Sequence, residues 1–291
     1  MYYTLQNDKI SLSVDTLGAQ MISLKSADGV EYLWQGDPQY WGDQAPNLFP
    51  FIGRLTNDSY RYLGQVYPMH IHGFAATMEF TATEQTDQSI TLALKSSKES
   101  LEQYPFDFKF EICYSLWENT VDIAYRVYNL NERTMPFGIG GHPGFNIPLV
   151  PTERFEDYEL VFSCPCQPDR VGFTPALYLS GQDEAYSLRD NQYLQLQHSL
   201  FDEDAIILKN MAREVSLLSK VSGRGVCITY PGMPYLGIWH WPKTDATYVC
   251  IEPWSSLPSR QDVVEEFTCK SDLVQLPAKN TYATVWSVTL L

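Results

Sequence analysis

The stretch "FKFEICYSLWENTVDIAYRVYNL", residues 108–130, decides the fold. In its first half Phe108, Phe110, Ile112, Tyr114 and Leu116 alternate with other side chains, and in its second half Val121, Ile123, Tyr125 and Val127 do the same. A period of two places one set of side chains on one face of a strand, and β-branched and aromatic residues suit that pleated, half-buried surface. Between the halves, "WENTV" is a short polar link of the kind that joins antiparallel neighbours. The segment therefore reads as two adjacent antiparallel strands that share an apolar face.

The same signal recurs in both directions from this pair. "ISLSVDTLG", "SITLALKSS", "YELVFS", "GVCITYP", "YLGIWHW", "TYVCIEPW" and "YATVWSVTLL" are β-prone runs, and "SADGVEY" and "VSGRGV" carry turn chemistry between them. Helical periodicity is nearly absent; "SKESLEQYP" and "DPQYWG" are read as short helical pieces. No low-complexity linker, long charge run or fixed-period repeat divides the chain, so one domain over residues 1–291 is expected. A dozen or more strands do not stay as one open twisted sheet, which makes a large antiparallel two-sheet sandwich of the all-β class the expected architecture.

Charge narrows the partners. With 35 Asp and Glu against 20 Lys and Arg, the net charge of −15 repels nucleic-acid phosphates and anionic lipid. A small-molecule ligand, with no nucleic acid and no membrane surface, is the expectation, and a monomer or a homodimer suits it equally. The opening "MYYTLQNDKISLSVDTLGAQ" has neither a basic n-region nor an apolar h-region, and the six cysteines are scattered away from metal-ligand spacing. A cytoplasmic protein with free thiols is expected from these features.

Four segments set chemically capable side chains beside Gly, Pro and aromatic residues. Arg54 ends "NLFPFIGR"; its plain reading is a structural ion pair, its functional one a forked donor to a hydroxyl or carboxylate. In "HIHGF", His72 reads as a satisfied structural histidine or a ligand contact, with His70 on the opposite side of a strand. His142 in "GGHPGFN" is flanked by residues so small that backbone and ligand can approach closely. Glu252 in "YVCIEPW" falls where alternation and apolar neighbours predict burial, which is costly for a carboxylate and shifts its pKa toward the range of proton transfer. Trp41, Trp239, Trp241 and Trp254 lie near these segments, as core rings or as platforms for the apolar face of a sugar.

Taken in order, "NLFPFIGRL", "HIHGFA", "GGHPGFNIPL" and "CIEPWSSLPSRQD", spanning residues 47–262, resemble the aldose 1-epimerase (galactose mutarotase) family, in its LacX-like bacterial branch. The resemblance implies a galactose mutarotase-like β-supersandwich, with Glu252 as catalytic base, His142 as catalytic acid, and Arg54 and His72 as sugar-binding residues. It further implies a substrate-binding Asp, for which Asp204 in "FDEDAIIL" is the first counterpart and Asp202 the second; among the rings near these segments, Trp239 is taken as the sugar platform. Three segments depart from the better-known branch: His142 is followed by Pro143-Gly144-Phe145, the motif around Asp204 does not match, and "SSLPSRQD" lacks a glycine.

The implied reaction removes the C1 hydroxyl proton of a sugar such as galactose or glucose while protonating the ring oxygen. The ring opens, C1 rotates, and reclosure gives the other anomer; one acid and one base suffice, with no cofactor and no metal. Opposite charges across the sugar are expected to raise the pKa of His142 and lower that of Glu252, which hydrogen bonds hold ionised. A hexose 6-phosphate substrate would need Arg224, Lys243 and Arg260 to converge. The alternatives are a non-catalytic sugar-binding protein on the same fold, a glycosidase built on Glu252 and an Asp, and a metal-binding cupin using "HIH".

Overall fold

A computed structural model describes residues 1–291. Phe108–Trp117 and Thr120–Asn129 pair antiparallel in unbroken register, from Phe108 opposite Asn129 to Trp117 opposite Thr120. Their alternation reappears as burial: Phe108, Phe110, Ile112, Tyr114 and Leu116 are buried, and the residues between them are not. Each such side chain contributes about 1.5–3 kcal/mol when fully buried, so a slip of one residue, which would turn all five outward, is strongly disfavoured.

This hairpin belongs to a nine-stranded antiparallel sheet. From one edge the order is Tyr193–Gln195, Tyr158–Phe162, Glu214–Ser219, Gly225–Thr229 and Thr281–Leu290, then Thr120–Asn129, Phe108–Trp117, Ser89–Lys95 and Thr81–Gln85. A second, eight-stranded sheet is centred on Tyr248–Trp254. One edge of that strand pairs with Tyr235–Trp239, which leads on to Ile206–Lys209, and the other with Gly140–Gly141 and Gly144–Asn146. Tyr2–Gln6, Ile10–Asp15 and Met21–Ser26 form a third, smaller sheet. The main core of 65 buried residues runs in sequence from Leu5 to Leu290 and draws on all three sheets.

The Tyr248–Trp254 strand is buried at every position, but its two faces differ. Val249 and Ile251 enter the main core, whereas Tyr248, Cys250 and Trp254 pack into two smaller clusters on the other side. Glu252 shares the alternation of this second set, which places it on the face of the sheet turned away from the main core.

Lys98–Gln103 is a helix, closed by a capping box in which Ser97 and Ser100 satisfy each other's backbone N–H groups. "DPQYWG" is a turn, contrary to expectation. The Asp37 carbonyl accepts from the N–H groups of Tyr40 and Trp41, and the Asp37 carboxylate accepts from that of Gln39, so the local bonds close a turn that no helical turn follows. No helix is long and apolar enough to cross a membrane.

Candidate active site

Glu252 is 1% exposed and stands opposite Gly237 on the neighbouring strand. A β-carbon at Gly237 would lie 3.1 Å from the Glu252 Cβ and 3.3 Å from its carboxyl carbon. The glycine thus keeps space beside the carboxylate, a role that the strand pattern of "YLGIWHW" gave no means of assigning.

His142, 9% exposed, sits between two very short strands on the opposite edge of the Glu252 strand. Backbone bonds fix it: His142 N–H donates to Pro46 O at 3.0 Å, and Ile251 N–H to Pro143 O at 3.2 Å. Behind the loop, Tyr125 donates to Asn47 Oδ1 at 2.7 Å, while Asn47 Nδ2 donates to the carbonyls of Gly18 and Ala19. The small residues around His142 are also closely packed. A β-carbon on Gly141 would lie 2.5 Å from the Trp286 ring, and one on Gly144 would lie 3.0 Å from that of Trp41. Trp41 in turn lies against the imidazole, with ring centroids 4.9 Å apart.

The two sides meet with His142 Nε2 3.2 Å from Glu252 Oε2. Oε2 is nevertheless buried without a hydrogen-bond partner, as is His142 Nδ1. Buried polar atoms are satisfied in the great majority of cases, and orphans on residues that line a cleft are places where a ligand or a water can supply the missing bonds. Burial pushes Glu252 well above the usual carboxylate range; the Trp254 indole works against this and the Asp204 charge adds to it. Burial, seconded by the adjacent His72, holds His142 well below the usual imidazole value. The protein groups alone therefore do not favour the charged pair expected across a sugar. For Glu252 desolvation outweighs the single hydrogen bond from the Trp254 indole, and burial outweighs what favours the charged imidazole, so both partners favour their neutral forms.

Arg54, His72, Asp204 and Trp239 line the same cleft as Glu252 and His142, as do Trp41, Trp241 and Trp254. The cleft measures about 1520 Å³, above the ~300–1,000 Å³ common for small-molecule sites. His72 Nδ1 accepts from the Gly53 N–H at 3.1 Å, which puts the ring proton on Nε2. Burial and the Arg54 charge press the His72 pKa down to about 4, so the ring is neutral. His72 has a φ of +65° and sits in a turn, so strand alternation does not apply, and His70 lines the cleft beside it. Asp204 is half-buried and its Oδ1 accepts from the Ala205 N–H at 2.7 Å; Asp202 lines the cleft from an exposed position.

The three basic residues named for a phosphate do not converge. Arg224 pairs with Asp28 on a separate surface hollow, and Arg260 binds Glu265 through Nε at 3.0 Å and Nη2 at 2.9 Å. Lys243 alone of the three lines the cleft, where Asp43, Glu99, Glu184, Asp202, Glu203, Asp204 and Glu252 outnumber Arg54, Arg170 and Lys243.

The family profile described as aldose 1-epimerase matches residues 1–265. The chain belongs to the aldose 1-epimerase family. Among its relatives, the LacX protein of Lactococcus lactis subsp. lactis is 35% identical over 300 residues, covering all of both chains. A galactose mutarotase related enzyme from Lactobacillus acidophilus superposes with a TM-score of 0.95 at 34% identity, covering 100% of this chain and 97% of the other. A galactose mutarotase-like protein from Lactobacillus casei gives 0.93 at 30% identity with full coverage of both. The expected galactose mutarotase-like all-β fold is thus found, and the aldose 1-epimerase family places this chain among isomerases acting on sugars.

Proposed function

We propose that this aldose 1-epimerase acts on neutral aldohexoses such as galactose or glucose, with Glu252 and His142 as its proton-transfer pair. One observation carries the reading: a buried carboxylate whose Oε2 has no hydrogen-bond partner stands 3.2 Å from the Nε2 of a buried imidazole in a Trp-lined cleft. In their neutral forms they hold one transferable proton between them, on the carboxyl group. A bound sugar supplies hydrogen bonds that the protein groups alone do not make to Oε2, which favours passing this proton to the imidazole. Glu252 then takes the C1 hydroxyl proton while His142 protonates the ring oxygen, and after rotation at C1 the transfers reverse.

Arg54 and His72 Nε2–H would donate to sugar hydroxyls, Asp204 would accept from one, and Trp239 would pack on the apolar ring face. The acidic excess of the cleft opposes a phosphate group and supports a neutral substrate over a hexose 6-phosphate. All of these groups come from one chain, so a monomer suffices. The six free cysteines support a reducing compartment such as the cytoplasm.

An anomer-resolved NMR exchange panel of galactose, glucose and their 6-phosphates tests the substrate class. Neutral hexoses should exchange faster than spontaneously, with kcat/KM at least about tenfold above that of the phosphates, a difference of ~1.4 kcal/mol. Preference for a 6-phosphate would overturn the reading.

A further inference from the structure

The face of the central strand that carries Glu252 also carries Cys250 two residues earlier, and the proton-transfer chemistry leaves that thiol unused. Cys250 is fully buried, and its Sγ, a His142 ring nitrogen and a Glu252 carboxylate oxygen lie within 4.8 Å of one another. The orphaned Glu252 Oε2, buried without a hydrogen-bond partner and 3.2 Å from His142 Nε2, is the second observation pointing to a ligand, since it has unused lone pairs in a buried setting. His142 and Glu252 line the cleft, so the cluster is reached from the substrate side.

We propose that Cys250, His142 and Glu252 form a site for a soft divalent metal ion of the zinc class, which binds in competition with the sugar and closes the active site. Zinc bond lengths of about 2.0–2.3 Å set ligand atoms roughly 3.3–3.8 Å apart in a tetrahedron. His142 and Glu252 already stand at 3.2 Å, and bringing the sulfur in from 4.8 Å or less takes a side-chain movement of about 1 Å. Charge also fits. A neutral imidazole, a thiolate and a carboxylate cancel a dication, so the buried site gains no net charge as the thiol and carboxyl protons leave to solvent. The mixed sulfur, nitrogen and oxygen set favours zinc and its neighbours over magnesium or calcium, which take oxygen ligands. The ion would occupy both proton-transfer groups, so metal and sugar exclude each other.

The inhibition arm rests on the proposed role of Glu252 and His142, while the binding arm does not. Full-length protein, stripped with EDTA, is titrated with Co²⁺ and followed by absorption. One equivalent should produce a sulfur-to-cobalt charge-transfer band that Zn²⁺ bleaches, and Cys250→Ser and Cys250→Ala should lack it. In mutarotation assays Zn²⁺ should inhibit the wild type competitively with sugar and EDTA should restore the rate. Both variants should keep the basal rate but need at least about tenfold more Zn²⁺, since even outer-shell changes cost 10–100-fold in metal affinity. Absence of the thiolate band, or equal Zn²⁺ sensitivity in wild type and variants, overturns the proposal. A thiolate band in a protein that accelerates no anomer exchange would sink the assigned function and leave the metal site standing.

Discussion

A carboxyl group with no hydrogen bond at its buried oxygen is a liability to folding, and Glu252 carries that liability at the centre of a sheet. Its folded pKa is raised, so the unfolded chain ionises first as pH rises. The stability cost is nil below the unfolded value near 4.5 and grows as pH rises through the interval up to the folded value. Glu252→Gln removes the titration while keeping the shape. Its Tm should exceed that of the wild type at pH 8 by a few degrees, about 1–3 kcal/mol, and the two should converge near pH 4. A Gln variant less stable than wild type at pH 8 would show that the carboxylate is satisfied in the folded protein. At this scale the sequence was informative about type and burial, since an acid within "YVCIEPW" is conspicuous. On protonation it pointed both ways, because charge coupling and desolvation oppose each other, and the burial of Glu252 with few partners in the fold decides between them.

At the scale of elements, the long strands were legible because alternation and β-propensity agree over ten residues, as in Phe108–Trp117. The strands that hold His142 were not. Gly140–Gly141 and Gly144–Asn146 have two and three residues, too few to show a period, and glycine has little intrinsic preference for strands. They exist because the Tyr248–Trp254 strand offers them an edge, which is tertiary information. Cys250, Glu252 and Trp254, by contrast, share a face by simple alternation. Gly141→Ala tests how tightly the His142 loop depends on its packing. With its β-carbon 2.5 Å from the Trp286 ring, the variant should lose about 1–3 kcal/mol of stability and roughly 10²-fold in kcat as His142 is displaced. A variant with wild-type Tm and kcat would mean that the ring gives way freely and the loop is not pinned there.

Across the whole molecule, two large antiparallel sheets bury one continuous core and leave the far side of the smaller sheet for chemistry. The all-β class follows from the count of alternating runs. Which distant residues meet does not, because strand order brings positions 54, 72, 142, 204 and 252 to one cleft while leaving Arg224 and Arg260 elsewhere. The resemblance of four ordered motifs supplied that grouping where spacing alone could not. Everything then turns on whether Glu252 and His142 transfer protons. Polarimetry on freshly dissolved α-galactose and α-glucose, corrected for spontaneous mutarotation, measures this for Glu252→Gln and His142→Ala beside the wild type. The account predicts that each folded variant loses about 10²–10⁴-fold in kcat, with the double variant little worse than the slower single one. A folded single variant that mutarotates sugar at the wild-type rate would contradict it.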